Sequence, residues 1–147
     1  MTVYKKILVA LDFHNDNSEI IVKGMEMAED NVAEIFLIHV NEPLGIAYMT
    51  DGMSCSDQVV SLALSIGKES KEQMTRLGNE LKLHSDHCIV KEGRPAAEIH
   101  AACKEKDIDL VVMGTHGQSG LQLLLGSTAN SVLHGSVCDV LAVRVGS

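Results

Sequence analysis

Asp109-Leu110-Val111-Val112-Met113-Gly114-Thr115-His116-Gly117-Gln118-Ser119-Gly120-Leu121-Gln122-Leu123-Leu124-Leu125-Gly126-Ser127 is the stretch on which the fold turns. An apolar run of strand length enters a loop with glycines at 114, 117, 120 and 126, and the loop leads into a short helical segment. Glycines let backbone amides approach an anion with no Cβ in the way, and the free amides of a helix start carry partial positive charge. The form is that of a phosphate-cradling loop between a strand and a helix.

The same alternation extends in both directions from it. Toward the amino terminus, residues 5–11 form a short apolar run closed by Asp12 and a polar cluster, which predicts a buried first strand. A helix is expected from 17 or 18 to 30, with Ile21, Gly24, Met25 and Ala28 at helical spacing behind a polar cap. A second strand follows over 33–40, is ended by Pro43, and gives way to an irregular stretch over 44–54. Val59, Val60, Leu62, Ala63, Ile66, Met74, Leu77 and Leu81 recur at threes and fours and predict a long helix over 56–83, weakened locally by Gly67 and Gly78. A weaker third strand over 86–91 precedes Gly93-Arg94-Pro95, which opens a helix carrying Ala97, Ile99, His100 and Cys103. The fourth strand is 110–113, the last helix 127–134 and the fifth strand 138–143. Apolar runs alternating with helices predict an α/β fold, a parallel sheet covered on both faces.

The chain has 147 residues, 46% of them apolar, which suits one domain over 1–147 with a sizeable core. Its formal charge of -8 argues against a nucleic-acid partner, because neutralising a polyanion needs clustered Lys and Arg. It does not exclude a nucleotide, whose few phosphates backbone amides and a metal ion can neutralise. The opening apolar run is too short for a signal-peptide core and no run reaches membrane-spanning length. Cys55, Cys88, Cys103 and Cys138 form no C-x-x-C pair. A cytoplasmic protein with reduced thiols is expected.

In an open parallel sheet, ligands sit beyond the carboxyl ends of the strands, where the strand order reverses. Asp12 follows strand one and Gly114 ends strand four, so adjacency of those strands would join an acceptor carboxylate to a ring of amides. Plain structural readings stand beside this one. Gly114 and Gly117 can serve a tight turn, Ser127 an ordinary helix cap, and Asp12 a cap on the turn into the first helix. Two other phosphate loops do not fit. The Walker pattern needs a Lys after its last glycine, where Ser127 stands, and the dinucleotide fingerprint needs its glycines after the first strand, where Asp12-Phe13-His14-Asn15 stands.

Along nearly its whole length the chain resembles the universal stress proteins. The resemblance is carried by Lys6-Ile7-Leu8-Val9-Ala10-Leu11-Asp12, Leu37-Ile38-His39-Val40, Glu92-Gly93-Arg94-Pro95 and Asp107-Ile108-Asp109 through Gly117. It continues through Leu125-Gly126-Ser127 to Cys138-Asp139-Val140-Leu141-Ala142-Val143-Arg144. It implies a five-stranded parallel sheet in the order 3-2-1-4-5 and a homodimer. Nucleotide-binding members of that family hold ATP with a divalent metal at G-x-x-G, usually nine residues, then G-S or G-T. Here eight residues, Gln118 to Leu125, separate Gly117 from Gly126, and Gln118 stands where binding members often carry a basic residue. By position, the resemblance assigns Asp12 and the backbone of Val40 to adenine, and Gly114 and Gly117 to ribose and phosphates. Gly126, Ser127 and Thr128 complete the phosphate cradle, with Mg as the expected metal. Residues around Ala10 and Leu11 wall the base. In the implied order strand five lies at a sheet edge, where its apolar run Val140-Leu141-Ala142-Val143, flanked by Asp139 and Arg144, is the expected dimer seam.

Other residues invite chemistry less strongly. His84-x-x-His87-Cys88 has a spacing open to metal ligation but no second cluster in sequence. His116 suits turn shaping as well as phosphate contact, His39 a structural role, and Cys103 and Cys138 core packing. No Ser-His-Asp set, close carboxylate pair, or Lys or Arg within the loop supplies the activation that phosphoryl transfer requires. No catalytic residue is assigned, and slow ATP hydrolysis is the most that is expected. Three functions compete: an ATP-holding dimer that reports to a signalling partner, a stress-response interaction protein with a vestigial loop, and a weak nucleotide hydrolase or transferase.

Overall fold

Three apolar runs form the buried middle of a single sheet. In the computed structural model, which describes residues 3–43, 57–115 and 127–145, the strands are β1 (Lys6–Leu11), β2 (Glu34–Asn41), β3 (Cys88–Glu92), β4 (Leu110–Gly114) and β5 (Asp139–Val143). All neighbours pair in parallel, in the order β3-β2-β1-β4-β5. The helices are α1 (Ser18–Asn31), α2 (Asp57–Glu80), α3 (Pro95–Glu105) and α4 (Ser127–Gly135).

Because successive strand residues point to opposite faces, β1 feeds two cores. Leu8 and Ala10 join Phe36, Ile38, Val111 and Met113 under Ile99, Ala102 and Cys103 of α3 and Ala129 and Val132 of α4. Ile7, Val9 and Leu11 join Ile35, Leu37, Leu110 and Val112 under Ile20 and Ala28 of α1 and Met74 of α2. Burial on both faces explains why these strands lack in-out alternation.

Element ends differ from the sequence expectation by one to three residues where local hydrogen bonds decide them. α2 stops at Glu80, short of 83, because Lys82 adopts a left-handed backbone with φ of 58° and the Leu83 amide donates to the Gly78 carbonyl. Ser85–His87 form a 3-10 turn, in which the Asp86 amide donates to Nδ1 of His84, so β3 begins at Cys88 and not at 86. The buried stripe of α1 is Ile20, Gly24 and Ala28, while Ile21 and Met25 flank it. Ala97 of α3 is exposed, and Ala102 takes the buried position.

The largest departure is in α2. Its buried residues are Ser70, Met74 and Gly78, all in the second half, whereas Val60, Leu62 and Leu64 of the first half are exposed. The expected irregular stretch over 44–54 lies outside the described residues. No helix among the described residues is long and apolar enough to cross a membrane.

Candidate functional site

The ladder between β1 and β4 holds three register pairs, Ile7↔Leu110, Leu8↔Val111 and Val9↔Val112, and then ends. Both strands continue: β1 to Leu11 and β4 to Gly114. The two central strands therefore part at their carboxyl ends, at the point where the strand order reverses. On the other side, pairing of β2 with β1 ends at Leu11↔His39 while β2 runs on through Val40 and Asn41. Main chain beyond the reach of the β1 ladder thus borders the opening.

The turn that leaves β1 is built by its own side chains. Asp12 Oδ1 accepts from the His14 amide at 3.0 Å, and Oδ2 accepts from Nδ2 of Asn15 at 2.9 Å. Asn17 accepts from the Asp12 amide through Oδ1 at 3.0 Å and donates to the Asp12 carbonyl through Nδ2 at 2.8 Å. Asn17 spends its side chain on this turn and makes no side-chain cap on α1. The α1 entry is held instead by Asp16, whose Oδ1 accepts from the Ser18 hydroxyl at 2.6 Å and the Ser18 amide at 2.9 Å. Those two donors hold the Asp16 carboxyl below its ordinary range. Each Asp12 oxygen, with one acceptor site used, retains another.

Behind this turn lies a buried polar chain. The Phe13 amide donates to Nδ1 of His39 at 3.4 Å, and the Leu11 carbonyl lies 3.3 Å from the same nitrogen. Nε2 of His39 meets Oδ1 of Asn41 at 2.8 Å, and Nδ2 of Asn41 donates to the Ser70 hydroxyl of α2 at 3.0 Å. The Phe13 ring stacks on the His39 imidazole, centroids 4.4 Å apart. His39 and Ser70 are both buried. Sequence reasoning anticipated a structural His39 but not Phe13 or Asn41, whose bonds to His39 and Ser70 join positions 26 and 29 residues apart, nor the local bonds of Asn17 to Asp12.

The expected site residues fall into three groups. Asp12 follows β1 directly, Val40 is the last residue but one of β2 and Gly114 ends β4, so all three lie at the carboxyl ends of their strands. Ala10 and Leu11 close β1 and send their side chains into opposite cores. Thr128 lies in the first turn of α4, which begins at Ser127. Gly117 and Gly126, with His116 and Gln118, lie outside the described residues.

Gly114 has a packing reason for being glycine. A Cβ there would come within 2.9 Å of Ile20 Cδ1 and 3.1 Å of Val145 Cγ2, and its φ is not left-handed. At 114 the missing side chain makes room for α1 and for the end of the chain after β5. The Thr115 amide continues that contact by donating to the Val143 carbonyl at 3.0 Å.

Residues away from the opening are engaged structurally. The His87 ring stacks on Phe36 at 4.2 Å, and its Nδ1 meets the Ile35 carbonyl at 2.8 Å. No group of three or more His, Cys, Asp or Glu among the described residues is arranged to hold a metal ion. Cys103 lies 3.9 Å from Cys138, sulfur to sulfur, and burial first, then the neighbouring sulfur, pushes its thiol up to about 12. Tyr4 donates to Oδ2 of Asp139 at 2.7 Å, which raises the phenol above its ordinary range and engages the start of β5 within the same chain.

The model of the universal stress protein family matches residues 3–144, which is essentially the chain. The chain belongs to the universal stress protein family. Among its relatives is universal stress protein A homolog 2 of Coxiella burnetii, 40% identical over 146 residues, covering 99% of this chain and 98% of that one. The solved structure of MJ0577 superposes with a TM-score of 0.75 at 27% identity and 99% coverage of both chains. A universal stress protein solved in complex with cAMP, 21% identical, has a TM-score of 0.55 and covers 97% of this chain and 98% of that one.

Proposed function

We propose that the chain is a single-domain, nucleotide-responsive regulatory protein of the cytoplasm. It holds ATP with Mg²⁺ at the carboxyl ends of β1 and β4 and reports that occupancy to a signalling partner as a homodimer joined through β5. The parting of β1 and β4 after Val9↔Val112 supports this reading most, because it opens main chain at the switch point beside the free acceptor sites of Asp12. In this reading Asp12 and the Val40 backbone meet adenine beside Ala10 and Leu11. Gly114 and Gly117 border ribose and phosphates, and Gly126, Ser127 and Thr128 close the cradle. Mg²⁺ would neutralise phosphate charge, with phosphate oxygens, water and at most one or two carboxylates around it. That a universal stress protein of this fold carries cAMP is consistent with an adenine nucleotide here.

Isothermal calorimetry with ATP and Mg²⁺ tests the reading, with cAMP as the second titrant. Saturable heat with ATP is expected, and Gly117→Val or Gly126→Val should abolish it while leaving Tm nearly unchanged. Heat with cAMP alone would replace ATP as the ligand. No heat with either would favour the interaction protein with a vestigial loop. Sedimentation of the same samples reports the dimer, which Leu141→Pro on β5 should dissociate by removing a backbone donor.

A further inference from the structure

A second concavity lies away from the nucleotide crevice. One flank of α2 and an edge strand, β3, enclose a groove of about 730 Å³ that Leu64, Lys68, Lys71 and Arg76 border from the helix and Val90 and Lys91 from the strand. β3 pairs with β2 alone, so its other edge carries main-chain donors and acceptors with no strand partner. Leu64 is 71% exposed. We propose that this groove is a docking site for an extended, acidic peptide segment of a partner protein, which adds to the β3 edge as a further strand.

Charge selects that occupant. The protein carries a formal charge of -8, yet four of its 12 Lys and Arg residues line this one groove. Two carboxylates, Glu72 and Glu92, share the lining, leaving an excess of positive charge. Among the described residues none of the four cations is ion-paired, since the ion pairs found there are Lys23 with Glu26 and His84 with Asp86. A single edge lysine is a common guard against unwanted strand pairing, and Lys91 alone would be explained that way. Lys68, Lys71 and Arg76 are not on the edge. They come from the facing helix, where they would flank a strand laid along β3. A second copy of this chain would bring the same cationic excess against itself. An acidic strand satisfies the ladder, the charge and, through alternate apolar side chains, Leu64 and Val90.

The test is fluorescence anisotropy without nucleotide, so its outcome is separate from the calorimetry above. The probe is a fluorescein-labelled peptide of about six residues, an ordinary strand length, alternating glutamate and valine. Saturable binding that weakens with salt is expected, with the lysine-valine counterpart roughly tenfold weaker or worse. Lys68→Glu with Lys71→Glu, and separately Lys68→Gln with Lys71→Gln, should each weaken the acidic probe, roughly tenfold for the reversal. Circular dichroism confirms that both doubles fold. Methylating alternate probe amides, in both registers, should abolish binding in one register. No binding, equal binding to the doubles, or full binding in both methylated registers would overturn the proposal. Self-association in sedimentation that Leu64→Asp removes would overturn it in favour of a second copy.

Discussion

Both halves of α2 carry apolar residues, and the second half buries its own more deeply. In the second half Met74 is 2% exposed and packs with Ile35 and Leu37 in one core of the sheet, and in the first half Leu64 stands largely in water beside the β3 groove. The lesson is that periodicity reports an amphipathic helix and leaves open what covers its apolar side. Matched substitutions across the two halves turn that difference into numbers. The largest contrast belongs to the apolar pair: Met74→Ala should cost about 2–5 kcal/mol through lost transfer energy and a residual cavity. Leu64→Ala should stay within about 0.5 kcal/mol. Urea unfolding with unchanged slope measures both, and comparable losses would mean that the first half is covered as well as the second.

A glycine pair gives the next contrast, and there the sign itself changes. A Cβ at Gly78 would lie 2.7 Å from Cys88 Sγ, so α2 approaches β3 closely only because no side chain intervenes. Gly78→Ala should therefore destabilise by about 1–3 kcal/mol as the helix is pushed off the strand. At Gly67 nothing lies within 4 Å of the same atom. Gly67→Ala should stabilise by about 0.5–1 kcal/mol through helix propensity alone. Thermal unfolding decides the matter, and a destabilising Gly67→Ala would show that this flank of the helix is already packed.

The parts legible in the sequence are those set by short-range pattern. Ile7-Leu8-Val9 and Leu110-Val111-Val112 announce buried strands because both their faces are covered, and Pro95 marks the start of a helix on its own. The strand order came through the family resemblance, since pairing partners such as Val9 and Val112 are far apart in sequence. The crevice was legible as a position after two strands, but its shape was not. No local signal foretells that the β1–β4 ladder stops two residues before either strand ends, or that Gly114 is needed by Ile20 and Val145. The groove was illegible because its residues sit on an unremarkable helix and a weak strand, and only the edge position of β3 makes them face one space.

The smallest contrast is a pair of serines, and it ties α2 to the crevice. Ser70 is buried and accepts from Nδ2 of Asn41, whose Oδ1 meets Nε2 of His39, while Ser65 is exposed on the first half of the helix. Ser70→Ala leaves the half-buried Asn41 amide with one partner fewer and should cost about 1 kcal/mol. Ser65→Ala should gain a few tenths of a kcal/mol, on the order of the propensity difference. The loss at Ser70 should also reach His39. The Phe13 amide donates to Nδ1, which requires the neutral ring to carry its proton on Nε2, pointing at Asn41. With Ser70 gone, the Asn41 amide is free to turn and offer Nδ2 to the ring. That arrangement would move the proton to Nδ1, toward the Leu11 carbonyl at 3.3 Å, and release the Phe13 amide at the crevice mouth. Nitrogen-15 spectra of His39 distinguish the two tautomers directly. A wild-type ring protonated on Nδ1, or a tautomer untouched by Ser70→Ala, would confine the serine to local packing and cut the chain between helix and crevice.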